Sequence, residues 1–284
     1  MTTYPQIIRT IAELRQVIAS YRRANPDNQT VGLVPTMGFL HEGHKSLLHK
    51  SVTDNGLTVL SIFVNPIQFG PNEDYGRYPR PLAEDLEMCG RNGVDVVFAP
   101  SVEEMYPSPQ LTFVEVTRVS EHLCGKFRPG HLRGVATVVL KLLNIVQPQR
   151  AYFGEKDMQQ LAVIRRMVTD LNVAVEIVGV PTVREGDGLA LSSRNKYLND
   201  EERKAAATLY RALQHASGQI KAGERDALKV REAAVAQLQA SRLIHVEYFE
   251  VVDPDELQPV STIDGPVRIA SAIWLGKTRL IDNI

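Results

Sequence analysis

The chain predicts an α/β protein: a doubly wound parallel sheet followed by a smaller C-terminal α+β domain. Three observations carry that expectation. Through the first two-thirds of the 284 residues, short apolar runs alternate with segments of helical periodicity, the pattern of parallel strands joined by right-handed crossovers. The apolar runs lack strict alternation, which suits strands covered on both faces. After Pro181 the pattern becomes a polar loop, two helices and two strands, so the domains are expected at 1–182 and 183–284.

Taken in order, the N-terminal stretch has apolar residues at helical spacing but also Arg9, Glu13 and Arg15, unlike the unbroken apolar core of a secretory signal. Val31–Pro35 reads as the first strand, with a helix from about Gly43 to Asp54. Thr58–Val64 is rich in β-branched residues and ends at Asn65-Pro66. Four prolines and two glycines make 66–81 a long loop. A helix over Leu82–Arg91 leads into a strand over Val94–Ala99, and Thr112–Val116 is expected to add another short strand. Val135, Val138, Val139, Leu142, Leu143 and Val146 recur at i, i+3, i+4, i+7, so Leu132–Val146 reads as a helix stopped by Pro148. Ala151–Phe153 is a strand. Asp157 can cap the next helix, whose face carries Leu161, Ile164, Val168 and Leu171. Val173–Val180 closes the series. The second domain opens on a polar loop over 184–199. One helix then carries Leu209, Leu213, Ala216 and Ile220, and the next carries Leu228, Ala234 and Leu238. Strands are expected over His245–Val252 and Val267–Leu275.

Lys plus Arg number 32 against 33 Asp plus Glu. A nucleic-acid binder needs a basic surplus, so nucleic acid is not an expected partner. Cys89 and Cys124 lie far apart, outside any disulfide framework or cysteine zinc motif, and fit a cytoplasmic protein. The longest apolar stretch, 135–146, is interrupted by Lys141 and Asn144 and is too short to span a bilayer, so no membrane partner is expected.

Four constellations carry chemistry. Pro35-Thr36-Met37-Gly38-Phe39-Leu40-His41-Glu42-Gly43-His44 sits where the first parallel strand hands over to a helix. Ligands of open α/β sheets bind at that end of the strands. A helix N-terminus there presents N–H groups and a positive dipole end to phosphate, and imidazoles three residues apart share a face and can donate to its oxygens. A zinc reading fails on spacing, because the histidines of HEGH are one residue closer than those of HExxH. Gly154-Glu155-Lys156-Asp157, followed by Gln159 and Gln160, again opens a helix after a strand. Lys156 can meet an anion there, and Asp157 can hold a ribose hydroxyl, bind Mg²⁺ or cap the helix. Leu191-Ser192-Ser193-Arg194-Asn195-Lys196 gathers two hydroxyls, a guanidinium and an ammonium in a flexible loop, a set suited to gripping phosphate as a lid. Val64-Asn65-Pro66-Ile67-Gln68-Phe69 places the neutral amide Gln68 at a strand end.

HxGH together with the late serine- and basic-rich loop resembles the nucleotidylyl-transfer superfamily, whose sheet is Rossmann-like. PTMGFLHEGH, SIFVNPIQF, FGEKDMQQL and LALSSRNKYL, in that order and with the ending AIWLGKTRLIDN, resemble the pantoate–β-alanine ligase (pantothenate synthetase) family over essentially the whole chain. The resemblance implies ATP-dependent ligation of pantoate and β-alanine through an enzyme-bound pantoyl adenylate, with Mg²⁺, in a homodimer. It implies that Met37, Gly38, Phe39, Leu40, His41, Glu42, Gly43 and His44 line the ATP site, with His44 as proton donor. Gly154, Glu155, Lys156, Asp157, Val183, Leu191, Ser192, Ser193 and Arg194 would contact the same nucleotide. Gln68 and Gln160 would hold pantoate, with Gln68 also serving β-alanine. Phe39, Glu42 and Met158 fall at variable positions of these motifs.

The residue types suit that chemistry. A carboxylate nucleophile needs no base at neutral pH, so the task is to stabilise growing phosphate charge with fixed donors: His41, His44, Lys156, Ser192, Ser193 and Arg194. Neutral glutamines hold a carboxylate without drawing off its charge as an arginine would. Two other readings share part of the pattern: a transferase that leaves the adenylyl group on its product, and a nucleotide-binding module without turnover. The paired amides Gln68 and Gln160 favour ligation over the first, and the joint presence of His41, His44, Lys156 and Arg194 speaks against the second.

Overall fold

The computed structural model describes residues 4–71 and 73–284. The chain forms two compact units, each drawn from several stretches: Met1–Val116, Arg128–Glu155 and Val163–Pro181 in the first, and Thr117–Phe127, Lys156–Ala162 and Thr182–Ile284 in the second. Among the described residues no helix is long and apolar enough to cross a membrane.

The first unit is built on strands β1 (Gln6–Ile8), β2 (Val31–Thr36), β3 (Leu57–Ile62), β4 (Val96–Phe98), β5 (Arg150–Gly154) and β6 (Glu176–Val180). They form one sheet in the order β1-β4-β3-β2-β5-β6, with every pairing parallel. From β2 the chain steps outward to β3 and β4, then returns to the other side of β2 with β5. The direction therefore reverses between β2 and β5, and the crevice outside the carboxyl ends of those strands is where such sheets bind ligands.

Burial on both faces explains the uninterrupted apolar runs. Val34, Leu48, Leu60, Val97 and Tyr152 lie in one core cluster, each large aliphatic contributing about 1.5–3 kcal/mol through burial. The helix His131–Val146 is more completely covered than its stripe suggests, since Ala136, Thr137 and Ile145 are buried as well. Tyr152 is fully buried, yet its hydroxyl is satisfied: it accepts from Asn55 Nδ2 at 2.7 Å and donates to Asp54 Oδ2 at 3.0 Å.

Several expectations are corrected. A strand, β1, precedes the helix Ile11–Ala24, whose N-cap Thr10 accepts from Glu13 N–H. Thr112–Val116 forms no strand; the Val114 N–H donates instead to the Thr137 hydroxyl at 3.0 Å. Leu171, placed on the buried face of Met158–Asp170, is 51% exposed.

The second unit holds the antiparallel sheet of β7 (Ile244–Val252), β8 (Arg268–Leu275) and β9 (Thr278–Asn283). The final strand β9, absent from the sequence reading, returns along β8 through a tight turn with Gly276 at φ 54°. Helices Thr208–Lys221 and Ala227–Gln239 pack on this sheet through Leu209, Leu213, Val230 and Leu238. Asp226 caps the second helix through the N–H groups of Leu228 and Lys229, and that helix turns Leu228 outward, 56% exposed, where the periodicity had placed it inward.

Candidate active site

In the first unit, the segment leaving β2 is held by hydrogen bonds within itself and to Ser61 and Asp85. Thr36 Oγ1 donates to Ser61 O at 2.7 Å and accepts from Gly38 N–H at 3.1 Å. Gly38 adopts φ 78°, in the left-handed region, and a Cβ there would lie 2.9 Å from Asp85 Oδ2, so only glycine fits. The Asp85 carboxylate accepts from Phe39 N–H at 2.8 Å and Leu40 N–H at 2.7 Å. Asp85 is 2% exposed. Burial pushes its carboxyl above the ordinary range, against the opposing pull of those two N–H bonds.

His41 and His44 then cap the helix Glu42–Asp54 reciprocally. His41 Nδ1 accepts from Gly43 N–H at 3.1 Å, and His44 Nδ1 accepts from His41 N–H at 3.2 Å. Their ring centroids are 4.1 Å apart. An Nδ1 that accepts carries no proton, so each neutral ring is the Nε2–H tautomer. This revises the phosphate-binding picture: the backbone N–H groups of 39–41 and Gly43 are committed within the protein, and the donors the cap orients are the two imidazole Nε2–H groups.

Gly154 ends β5, the neighbour of β2 across the switch point. A Cβ at position 154 would meet nothing within 4 Å. Glu155 follows in a short 3₁₀ turn, Glu155–Asp157. Gln68, 7% exposed, ends the turn Pro66–Gln68 after β3. Its Nε2 lies 3.2 Å from Met37 Sδ, so the first and fourth motifs meet. His131 Nδ1 contacts the Gln68 carbonyl at 2.9 Å, and Arg128, paired with Glu73, contacts His131 Nε2 at 2.9 Å.

In the second unit, Lys156 lines one pocket with Ser192, Arg194, Asn195, Arg279 and Asp282. Asn283, at the end of β9, donates to the Lys156 carbonyl at 2.9 Å. Gln160 is half-buried and Asp157 exposed. The adjacent Gln159 is buried and ties down 117–127, donating to Val119 O and His122 O and accepting from Gly125 N–H.

The loop carrying Leu191, Ser192, Ser193 and Arg194, which the sequence suggests is flexible, is braced by hydrogen bonds. Leu191 N–H donates to Val183 O at 2.9 Å, which sets those two predicted residues side by side. Ser192 caps the 3₁₀ helix Ser193–Tyr197. Arg184 makes a two-pronged pair with Asp282 and lies 3.8 Å over the Tyr210 ring. Arg203 bonds Asp187 and Glu185, each at 2.6 Å. Asp187 is held below the ordinary carboxylate range, chiefly by its hydrogen bond from Arg203.

Asp85, Arg279 and Asn283 stand outside the candidate residues that the sequence offers. Asp85 sits in the first turn of Leu82–Arg91, where an acidic residue is ordinarily read as a dipole effect. Its partners lie 45 and 46 positions earlier in the chain, a separation at which no local pattern gives a signal.

A sequence model of the family described as pantoate-beta-alanine ligase matches residues 6–284. The chain is 54% identical over 279 residues to the pantothenate synthetase of Moorella thermoacetica, covering 98% of both chains. It is similar to the crystal structure of pantothenate synthetase from Thermus thermophilus, with 48% identity, a TM-score of 0.91 and 98% of each chain covered. It is also similar to the pantoate-beta-alanine ligase of Francisella tularensis, crystallised with beta-gamma ATP and beta-alanine, at 34% identity and a TM-score of 0.79 over 99% of this chain and 97% of that one.

Proposed function

The chain belongs to the pantoate-beta-alanine ligase family, and on that premise we propose how its residues divide the work. The enzyme joins pantoate to β-alanine at the expense of ATP, through pantoyl adenylate, releasing pyrophosphate and AMP. In the first half-reaction the pantoate carboxylate attacks the α-phosphorus of ATP. That nucleophile is ionised at neutral pH, so the burden falls on charge building up on the phosphates. Met37, Gly38, Phe39, Leu40, His41, Glu42, Gly43 and His44 line the nucleotide, with the Nε2–H groups of His41 and His44 turned to phosphate oxygens. His44, a neutral ring whose Nδ1 accepts from His41 N–H, stabilises departing pyrophosphate by a hydrogen bond from its Nε2–H. The bare backbone at Gly154 admits the nucleotide, with Glu155 and Asp157 beside it. Lys156, Ser192, Ser193 and Arg194 stabilise phosphate charge, and Val183 and Leu191 contact the same nucleotide.

Gln68 and Gln160 hold pantoate by neutral hydrogen bonds that leave its carboxylate nucleophilic. In the second half-reaction the amine of β-alanine, bound at Gln68, attacks the acyl carbon and AMP departs. The amine reacts as the free base, although an alkyl ammonium ordinarily titrates near about 10.

Mg²⁺ accompanies ATP in this reading. Among the described residues no three His, Cys, Asp or Glu side chains gather into a metal-holding group. That suits Mg²⁺ held mostly by phosphate oxygens with one or two carboxylates, Asp157 being the candidate. When bound it neutralises phosphate charge. The reading extends to a homodimer of the cytoplasm, a reducing compartment that suits two free thiols.

The observation that carries the assignment is the reciprocal histidine cap at the carboxyl end of β2, which fixes two Nε2–H donors beside the switch point. The test is pantoate-dependent exchange of labelled pyrophosphate into ATP with Mg²⁺ and without β-alanine. Exchange that disappears when pantoate is omitted supports the adenylate half-reaction. Absence of exchange in folded, ATP-binding protein refutes it.

A further inference from the structure

Gln68 is a neutral amide, and its two ends ask opposite things of a substrate: Oε1 accepts and Nε2 donates. Which end is offered is settled in the first unit by a chain of three hydrogen bonds. The chain is anchored at the Gly134 carbonyl, which can only accept. Asn65 Nδ2 donates to it at 3.2 Å, so the nitrogen of the Asn65 amide is identified and its oxygen faces the other way. That oxygen accepts from the Tyr106 hydroxyl at 2.7 Å. The second proton of Asn65 Nδ2 then goes to Gln68 Oε1 at 3.0 Å. With Oε1 taken, Gln68 turns Nε2 toward Met37, whose thioether is a weak acceptor.

The surroundings leave the chain little freedom. Asn65 is 1% exposed and Gln68 7% exposed. Helix His131–Val146 approaches the turn Pro66–Gln68 backbone to backbone: a Cβ on Gly134 would lie 2.5 Å from Ile67 O and 2.6 Å from Gln68 Cα. Tyr106 is wedged between the Phe63 ring, at 6.1 Å, and the Lys141 ammonium, 4.7 Å from its centroid. Burial raises its phenol above the ordinary range, so it remains a donor across the working pH range.

We propose that Tyr106 is a positioning residue for the acid substrate: through Asn65 it locks the Gln68 amide with its N–H end presented, which selects an acceptor-only group, a carboxylate, at that point. Reversed, Gln68 would turn a carbonyl dipole on the carboxylate and repel it. Tyr106 acts through Gln68 and does not touch the substrate. The inference rests on the reading of Gln68 as a pantoate ligand.

The experiment is a double-mutant cycle of Tyr106→Phe and Gln68→Ala, with KM for pantoate and for ATP measured in the pyrophosphate-exchange assay and thermal unfolding recorded for each variant. Tyr106→Phe is expected to raise the KM for pantoate about tenfold, equivalent to roughly 1.4 kcal/mol, with the KM for ATP unchanged. In the Gln68→Ala background the same substitution is expected to leave the KM for pantoate where Gln68→Ala had put it. Equal losses for pantoate and ATP, or full additivity of the two substitutions, overturn the positioning role. If Gln68→Ala leaves the KM for pantoate at the parent value, the assignment of Gln68 itself fails, and the positioning role fails with it.

Discussion

Replacing Gly154 by alanine separates what the fold needs from what a ligand needs. A Cβ at position 154 meets no protein atom within 4 Å, and the residue has no left-handed φ. The folded chain therefore accepts the methyl group, while the unfolded chain loses freedom, for an expected gain of about 0.4–1 kcal/mol in stability. If ATP lies against that backbone, the same methyl group intrudes on it. A forced fit of one extra carbon costs about 1–3 kcal/mol, which is roughly a 5- to 150-fold rise in KM for ATP. Gly134→Ala is the matched control, because its Cβ would sit 2.5 Å from Ile67 O, a backbone atom that cannot rotate aside. It is expected to lower stability by about 1–3 kcal/mol. Urea unfolding and initial rates at varied ATP read both quantities. A Gly154→Ala protein of at least parental stability with parental KM for ATP would refute the placement of the nucleotide at the end of β5.

Three further outcomes are expected. His44→Ala removes one of the two Nε2–H donors and one cap bond, so turnover is expected to fall on the order of a hundredfold, with a stability loss of about 0.5–2 kcal/mol; unchanged turnover in folded protein removes His44 from its role. Asp85→Ala leaves the Phe39 and Leu40 N–H groups without their carboxylate, and a loss of about 2–4 kcal/mol is expected from two orphaned donors, with relief of a buried charge setting the lower end. Activity should fall more than in a surface control, and urea unfolding together with turnover checks both. Asp187 has a depressed folded pKa, so its contribution is fully present above the unfolded value of about 3.9 and is lost as pH falls through the folded one. Amide exchange at Leu189, whose N–H donates to Asp187 Oδ1, should therefore quicken relative to β8 as pH drops below about 4. Protection already lost above about pH 4 speaks against the Arg203 brace, which keeps Asp187 ionised to lower pH.

Patterns close in sequence were legible and the rest was not, for a physical reason. Hydrophobic period, proline and glycine placement and capping residues act over one or two turns. The doubly wound class, the helix Leu82–Arg91 to the residue, the helix 131–146 within one residue and the two strand-to-helix junctions at His41–His44 and Gly154–Asp157 could thus be read from the chain alone. Three-residue β1 is too short to show a period, and the apolar run at 112–116 reads as a strand until Thr137, from 23 positions away, takes the Val114 N–H. Strand order, and with it the crevice between β2 and β5, follows from which crossovers pack together, and no single element encodes that choice. The same holds for polarity. That histidines stand at 41 and 44 is written in the chain, but their tautomer comes from the cap. That Gln68 is an amide is also written there, but which end it offers comes from Tyr106, Asn65 and the Gly134 carbonyl, partners up to 69 positions apart that only folding brings within hydrogen-bond distance.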